Sequence, residues 1–278
     1  MVLHKQKIPL FATKDEKKEI IEVKRPQLRV LFDETREPNK WVNETRSRFL
    51  LILTSNNFTV NRLTQGPINY TALREFDIFV MGASSTGQSA LTPTELRTIG
   101  QFVQEGRGLL LVGNQYVGGE KDFNFALANM FGLSFHDVVE DIKIHANPET
   151  ETWSWAPLFN LMLDHPITKD VYNVVFPRSA SLSLSLNAEP IVFSNTTSNP
   201  PCVPVLGITE YGKGKVAALG SEGLLTGDEK SGIPAKDNEK LILNLFNWYP
   251  TWKTCPNCNF QSPPSTIYCP QCKKQMSG

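Results

Sequence analysis

Residues 108–119 read GLLLVGNQYVGG, and this stretch decides the predicted fold of the chain. Its apolar run, Leu109–Val112, lies between glycines, which is typical of a strand buried on both faces of a parallel sheet. Helix patterns precede and follow the run, so it belongs to an alternation of strands and helices. In such sheets the loop at the carboxyl end of a strand lines the ligand crevice. The candidate ligand-binding residues of this loop are Asn114, Gln115 and Tyr116.

The alternation extends towards the amino terminus. The helix pattern just before the central strand is the best specified in the chain: Thr92 is its predicted N-cap, Pro93 its first residue, and Glu95 completes a capping box. An earlier helix is predicted over about Val42–Ser55. The strands of this half are predicted over Leu28–Phe32, Phe58–Leu63 and Asp77–Met81.

From Leu133 onward the pattern changes to short strands. The runs Val203–Tyr211 and Lys215–Gly220 flank a Gly-Lys-Gly sequence, which indicates a hairpin and therefore antiparallel strands added to the sheet. An amphipathic helix is predicted over Asn238–Trp248. The predicted fold class is α/β: a flavodoxin-like, three-layer sandwich with added antiparallel strands.

The composition predicts a soluble globular protein with one large domain and a small appendage: 278 residues, 40% apolar and 20% charged. The formal net charge is zero, but residues 1–27 and residues 251–278 each carry +3, which leaves −6 on the residues between. An acidic body does not fit a nucleic-acid binder. No apolar run is long enough to cross a membrane, so no membrane partner is expected.

The amino-terminal segment mixes lysine and glutamate without a steady period. It predicts a mobile or peripheral arm over residues 1–27, with a docking helix over Asp15–Val23 as the alternative. No signal-peptide core is present, so we expect a cytoplasmic protein, in which five cysteines indicate a metal site rather than disulfides. The predicted organisation is this arm, a body over residues 28–250 and a small ribbon over residues 251–278.

Four cysteines in the ribbon form two Cys-x-x-Cys pairs separated by ten residues. Each pair can present two sulfurs to one ion, which is the spacing of a tetrahedral structural Zn²⁺ site. The predicted ligands are Cys255, Cys258, Cys269 and Cys272; a redox dithiol or two disulfides is the alternative. The segment resembles the zinc-ribbon family, although Lys273 stands where many ribbons have glycine. We expect one structural Zn²⁺ and a docking or stabilising role, with nucleic-acid contact as the alternative.

Seven motifs occur in order through the body. They are LRVLFDE (28–34), FDIFVMG (76–82), LTPTELRTIGQFVQEGRGLLLVG (91–113), DFNFALANMFGLSF (122–135), HPIT (165–168), VLGITEYGKGKVAALGS (205–221) and DNEKLILNLFNW (237–248). In order and spacing they resemble the class I glutamine amidotransferase-like superfamily. The likeness is greatest to its non-enzymatic branch, which includes the GIFT domain of intraflagellar transport proteins and uncharacterised prokaryotic relatives.

This resemblance implies the fold but argues against amidotransferase chemistry. Active members need a cysteine in a G-x-C-x-G elbow, and here Gln115 takes the place of that cysteine and Val117 that of the second glycine. An amide cannot attack a carbonyl carbon, and valine blocks the tight turn. Ser221 and Glu222 stand where the family has its His-Pro-Glu, so a carboxylate is kept and the histidine is missing. We therefore regard Ser221 and Glu222 as candidate ligand-binding residues.

Two further loops at strand ends carry candidate residues. Asp33 and Glu34 can bind a cation or a polar ligand, or they belong to a solvated loop whose acids cap the next helix. Ser84 and Ser85 lie in a small-residue loop that can cradle an anion with its backbone N–H groups, or is a plain loop. Cys202 is predicted to be a small buried apolar residue, with a nucleophile as the alternative.

Three functions fit these patterns. The preferred hypothesis is a non-catalytic binding or scaffolding protein with protein partners, for which a small-molecule or carbohydrate ligand is the other possible class. The second is a hydrolase or transferase that uses Asp33 or Glu34 with Glu222; it predicts that these carboxylates converge and have raised pKa values. The third is a nucleic-acid-associated factor that acts through the ribbon and the basic arm.

Overall fold

The computed structural model describes residues 27–82, 91–114, 127, 130–147, 149, 153–249 and 252–276. The predicted arm, except Gln27, lies outside these residues, and so do four candidate site residues: Ser84, Ser85, Gln115 and Tyr116. None of the helices in the described residues is long and apolar enough to span a membrane.

An eight-stranded mixed sheet forms the centre of the body, with strand order β2-β1-β3-β4-β12-β11-β10-β7. The first five strands in this order are parallel, and their arrangement is that of flavodoxin-like folds. Strands β11, β10 and β7 extend the sheet in antiparallel pairing. The strands of this sheet are β1 (Leu28–Asp33), β2 (Phe58–Leu63), β3 (Ile78–Gly82), β4 (Gly108–Val112), β7 (Leu161–Met162), β10 (Glu189–Phe193), β11 (Pro204–Tyr211) and β12 (Gly214–Leu219).

Three two-stranded pairings complete the strands of the described residues. β5 (Leu133–Val139) pairs with β9 (Ser179–Leu184), and β6 (Leu158–Phe159) pairs with β8 (Val174–Val175). The third pair, β13 (Lys253–Thr254) with β14 (Gln261–Ser262), belongs to the ribbon.

Helices cover both faces of the large sheet. Helices α1 (Ser47–Ser55) and α4 (Asn238–Trp248) pack on one face, where the rings of Phe49 and Phe246 lie 5.9 Å apart. Helix α3 (Pro93–Gln104) packs on the other face, next to the short helix α2 (Tyr70–Leu73). The predicted three-layer α/β sandwich with added antiparallel strands is therefore confirmed.

Neighbouring residues determine where helix α3 begins, but they do not fully determine where helix α1 begins. Helix α3 begins as predicted, because the Thr92 hydroxyl accepts from Glu95 N (3.2 Å) and the Glu95 carboxylate accepts from Thr92 N (2.9 Å). The helix predicted from Val42 starts with a 3-10 turn over Glu44–Arg46, which the Asn43 side chain caps, and the α-helix itself begins at Ser47. The backbone N–H of Val42 donates to the Glu34 carboxylate at 3.2 Å, so a distant side chain holds Val42 in the loop before the helical turn.

The ribbon packs against the amino-terminal ends of the parallel strands. Ser265 N donates to Asp77 Oδ1 at 2.9 Å, and Asp77 directly precedes β3. Trp252 packs against the core of the body. The ribbon and the carboxyl ends of the strands therefore lie at opposite edges of the sheet.

Candidate functional site

The carboxyl ends of β1, β4 and β12 meet at one edge of the sheet, which we call the carboxyl edge. Glu222 N donates to Gly113 O at 2.7 Å, and Gly113 N donates to Leu219 O at 2.8 Å, so the segments that leave β4 and β12 run together. Gly113 packs under Phe135, and a Cβ on Gly113 would lie 2.5 Å from that ring. This contact requires glycine at the first position of the predicted elbow.

Glu222 is the centre of a cluster of charged and polar side chains. One oxygen of its carboxylate pairs with the Arg46 guanidinium. The other oxygen accepts from Asn114 Nδ2 at 3.0 Å and pairs with Lys40 Nζ at 3.3 Å. We call Lys40, Arg46, Asn114 and Glu222 the Glu222 cluster. The structure thus brings together two of the predicted site residues, Asn114 and Glu222.

Trp41 fixes the two cations of this cluster. Its ring is fully buried and lies beneath Lys40 Nζ at 5.8 Å and the Arg46 guanidinium carbon at 5.1 Å, which is cation–π geometry. The indole N–H donates to Asp33 O at 3.0 Å, which ties the ring to the end of β1. Sequence reasoning missed Lys40 and Arg46, because their shared partner Glu222 lies 182 and 176 positions away in the sequence.

Glu34 is fully buried, and both of its oxygens are bonded. One oxygen accepts from the backbone N–H groups of Trp41 (2.8 Å) and Val42 (3.2 Å). The other oxygen forms a charged, two-point contact with the Arg62 guanidinium, including a 2.7 Å bond from Arg62 Nε. Glu34 therefore organises the loop after β1 from a buried position, and it does not cap the following helix, whose first turn is capped by the Asn43 side chain.

Asp33 shapes the turn after β1. Its Oδ1 accepts from Thr35 N (3.0 Å) and from the Thr35 hydroxyl (2.7 Å), and its Oδ2 lies 3.5 Å from the Arg36 guanidinium. Burial raises the pKa of Asp33, and the bonds from Thr35 and the charge of Arg36 oppose this only in part. Among the described residues, Asp33, Glu34 and Glu222 bind different cations, so the structure does not join these carboxylates through a shared partner.

Ser221 is also tied into the structure of its own turn. It is fully buried, its hydroxyl donates to Pro177 O at 2.6 Å, and the same oxygen accepts from Leu224 N at 3.2 Å. Ligand binding by Asp33, Glu34, Asn114, Ser221 and Glu222 stays a prediction, as it does for the four candidates outside the described residues.

Glu95 couples the carboxyl edge to helix α3. Burial alone raises its pKa, but bonds from Thr92 N, from Ile68 N and from the Arg36 guanidinium (2.8 Å) outweigh burial and lower the pKa of Glu95 to about 2. A carboxyl group whose pKa is lower in the folded than in the unfolded protein stabilises the fold at pH values above the unfolded-state pKa. This contribution is lost as the pH falls towards the folded-state pKa.

We therefore expect the free energy of unfolding of the wild-type protein to fall by about 3 kcal/mol between pH 6 and pH 2 through Glu95 alone, since one pKa unit corresponds to about 1.4 kcal/mol. Urea unfolding of the wild type and of Glu95→Gln at both pH values measures this effect. The wild type should be more stable than the variant at pH 6, and this difference in the free energy of unfolding should shrink at pH 2. The matched control is Glu229→Gln, because Glu229 is exposed and should leave the pH dependence unchanged. A difference between wild type and Glu95→Gln that is constant with pH would contradict the assignment.

The ribbon brings four cysteines together with the geometry of a metal site. The sulfurs of Cys255, Cys258, Cys269 and Cys272 all lie within 4.8 Å of one another, with 3.6 Å between Cys255 and Cys272 and 3.5 Å between Cys258 and Cys269. Four thiolates at about 2.3 Å from a tetrahedral ion lie about 3.8 Å apart, so these residues fit a metal ion. No disulfide joins them.

The two Cys-x-x-Cys turns have the same backbone conformation. Cys255 N donates to Phe260 O (2.9 Å), and Cys269 N donates to Lys274 O (2.8 Å). The residue after each second cysteine is left-handed: Asn259 has φ 58° and Lys273 has φ 60°. Lys273 therefore adopts the left-handed conformation at the position where many ribbons have glycine. Cys202, by contrast, is exposed, so the prediction of a buried apolar residue is wrong.

Comparison with known proteins shows the fold. No family model and no curated protein matches the chain. The mmIFT52 N-terminal domain matches with a TM-score of 0.66 at 20% identity, over 79% of this chain and 96% of that domain. Two cytoplasmic proteins of Salmonella typhimurium also match. STM3548 has a TM-score of 0.56 at 16% identity, over 80% of this chain and 98% of its own. STM1381, from strain LT2, has a TM-score of 0.55 at 18% identity, over 80% of this chain and 99% of its own.

Proposed function

We propose that this protein is a non-catalytic binding or scaffolding protein of the cytoplasm, whose body recognises a protein partner at the carboxyl edge. The observation that carries the proposal is the Glu222 cluster. Glu222 stands where the resemblance implies catalytic residues, yet its oxygens are bonded to Arg46, Lys40 and Asn114. Three donors, two of them cations, therefore occupy most of the roughly four acceptor sites of this carboxylate, which makes Glu222 part of an ion-pair cluster. The fold shared with the mmIFT52 N-terminal domain is consistent with a role of this kind.

The same cluster gives the carboxyl edge a surface suited to recognition. Its cations are held by Trp41 and Glu222 and its amide by Glu222, so the edge is preorganised and loses little conformational freedom on binding. A polar segment of a protein partner fits such a fixed edge, and a carbohydrate is the small-molecule class that fits it.

In this proposal the metal of the ribbon is one structural Zn²⁺ held by Cys255, Cys258, Cys269 and Cys272. Four thiolates fill a tetrahedral shell and leave no position for a substrate, so the ion stabilises the segment. The ribbon then serves as a second docking module at the other edge of the sheet.

A substrate screen tests the absence of catalysis. The purified, zinc-loaded full chain is incubated with amide, ester and glycoside substrates, beside an Asn114→Ala variant whose circular dichroism is unchanged. We expect background rates for both proteins. Turnover by the wild type that falls at least about tenfold in Asn114→Ala, a loss of about 1.4 kcal/mol of transition-state stabilisation, would overturn the proposal.

A partner screen tests the binding surface. Affinity capture from source-cell extract is done with the wild type and with Asn114→Arg, which places a bulky cation at the carboxyl edge. We expect a protein that the wild type retains and the variant loses. A partner retained equally by both would contradict recognition at this edge.

A further inference from the structure

Two tryptophans stack on each other at the surface of the body. The rings of Trp153 and Trp155 lie 5.1 Å apart and 25° from parallel, and both side chains are partly exposed. Their turn precedes β6 and is held by two backbone bonds, from Ala156 N to Trp153 O (2.8 Å) and from Asp141 N to Ser154 O (3.0 Å). The pair also packs on a small apolar cluster of the body, so its rings are held in place.

A cation lies over each ring of this pair. The Arg178 guanidinium carbon is 5.5 Å from the ring centre of Trp155, and Lys230 Nζ is 5.6 Å from that of Trp153, which is cation–π geometry. We call Arg178, Trp155, Trp153 and Lys230 the tryptophan column. Arg178 N donates to Trp155 O at 2.6 Å, which ties the backbone of this cation to that of its ring. The column therefore holds two cations in a fixed order, and they lose little conformational freedom on binding.

The two cations of the column have no ion-pair partner in the part of the chain that the structure describes. Arg178 and Lys230 are exposed, and neither side chain forms a hydrogen bond there. Asp228 Oδ1 accepts from Lys230 N (3.0 Å), Ser231 N (2.8 Å) and the Ser231 hydroxyl (2.9 Å), so the acid nearest to Lys230 in the chain is used by its own turn. Arginine, lysine and tryptophan side chains carry donors and no acceptors. The column therefore suits a negatively charged partner that is rich in acceptors.

The length of the tryptophan column indicates the kind of anion that it fits. Three successive contacts of 5.5, 5.1 and 5.6 Å connect the two cations, so at most about 16 Å separates their charges. An extended peptide advances about 3.3 Å per residue, so a segment of about five residues is long enough to reach both. A segment with two separated carboxylates can pair with both cations, whereas a single carboxylate pairs with one.

We propose that the tryptophan column binds an extended, acidic segment of a protein partner, with one carboxylate at Arg178 and another at Lys230. The guanidinium fork matches a carboxylate at two points, and the lysine supplies a point charge. A nucleic acid fits less well, because residues 28–250 carry a formal charge of −6 and each ring already has a ring and a cation as partners, which leaves bases little to stack on. The column shares no residue with the Glu222 cluster, and the proposal does not rest on the function proposed there.

Fluorescence anisotropy of a labelled oligoglutamate peptide of about six residues, titrated with the zinc-loaded full chain, tests the proposal. We expect saturable binding at low salt that weakens as salt is raised. Arg178→Glu should weaken binding at least about tenfold, because a like charge then faces the peptide. Lys230→Glu should also weaken it and serves as the second variant if Arg178→Glu folds poorly. The matched control, Arg97→Glu, makes the same change in net charge at an exposed position of helix α3 and should bind as the wild type does.

An oligoglutamine peptide of the same length and a single-stranded oligothymidylate form the comparison arms. We expect oligoglutamine not to bind and oligothymidylate to bind more weakly than oligoglutamate. The absence of oligoglutamate binding would overturn the proposal, and so would equal binding by both column variants and the Arg97→Glu control. Oligoglutamine binding as tight as that of oligoglutamate would show that charge is not what the column recognises. Tighter binding of oligothymidylate would assign the column to nucleic acid, and either result would overturn the acidic segment.

Discussion

Removing the metal ion from the four-cysteine site is expected to unfold residues 252–276 while the body stays folded. Apparent zinc binding in modules of this kind contributes about 10–16 kcal/mol at neutral pH, and almost all of it is folding free energy. The apolar cluster of the ribbon consists of Cys255, Cys269 and Met276, with Cys258, Phe260 and Cys272 at its margin. Four of these six residues are the metal ligands themselves, so little else holds the segment together.

Chelation followed by limited trypsin digestion measures this effect. The metal-loaded chain should contain one zinc ion and resist cleavage at Lys253, Lys273 and Lys274, and chelator should expose all three sites. Cys255→Ser should behave as the chelated protein does. Cys202→Ser is the control, because Cys202 is an exposed thiol outside the site and its loss should change neither zinc content nor digestion. A ribbon that resists trypsin equally well after complete loss of zinc would contradict the prediction.

Glu222→Ala is expected to destabilise the body by about 3–5 kcal/mol, the range found when one partner of a buried ion pair is removed. The side chains of Lys40 and Arg46 are only 3% and 9% exposed, and both pair with Glu222. Arg46 Nε already lacks a hydrogen-bond partner among the described residues. Without the carboxylate, Arg46 is left with no carboxylate partner among the described residues, whereas Lys40 keeps its ion pair with Glu37 at 3.0 Å, so most of the loss is expected from Arg46.

Urea unfolding of the full chain provides the measurement. Glu229→Ala, at an exposed position, is the matched control and should cost no more than about 0.5 kcal/mol. The double variant Glu222→Met/Arg46→Met tests the cause: if the loss comes from uncompensated charge, the pair should be less destabilising than the sum of its single changes. A loss in Glu222→Ala no larger than in the control would show that these ion pairs contribute little to stability.

The parts of the fold that local chemistry controls were predictable from the sequence. The apolar run Leu109–Val112 forms the buried centre of the sheet, and the Thr92–Glu95 capping box forms as its two side chains require. The hairpin at Gly212 and the approach of the four cysteines also follow from short-range spacing. In each case the interacting residues lie close together in the chain.

The candidate site was less predictable, because its partners are far apart in the sequence. Arg46 and Glu222 are 176 positions apart, and no periodic pattern indicates which loops meet at a sheet edge. The same cause contributed to the misplaced start of helix α1, since Glu34 binds the backbone N–H of Val42, which local propensity assigns to the helix. The resemblance to a known superfamily located Glu222, but it could not reveal the cations that neutralise it.

The position of β12 has a consequence for synthesis of the chain. This strand lies between β4 and β11, although about a hundred residues separate it from β4 in the sequence. While the ribosome makes those residues, for about 5–20 s, the apolar strand β4 is the bare edge of an incomplete sheet. The nascent chain thus exposes an apolar strand edge until its last quarter emerges, and we expect chaperone protection during that interval to raise its yield.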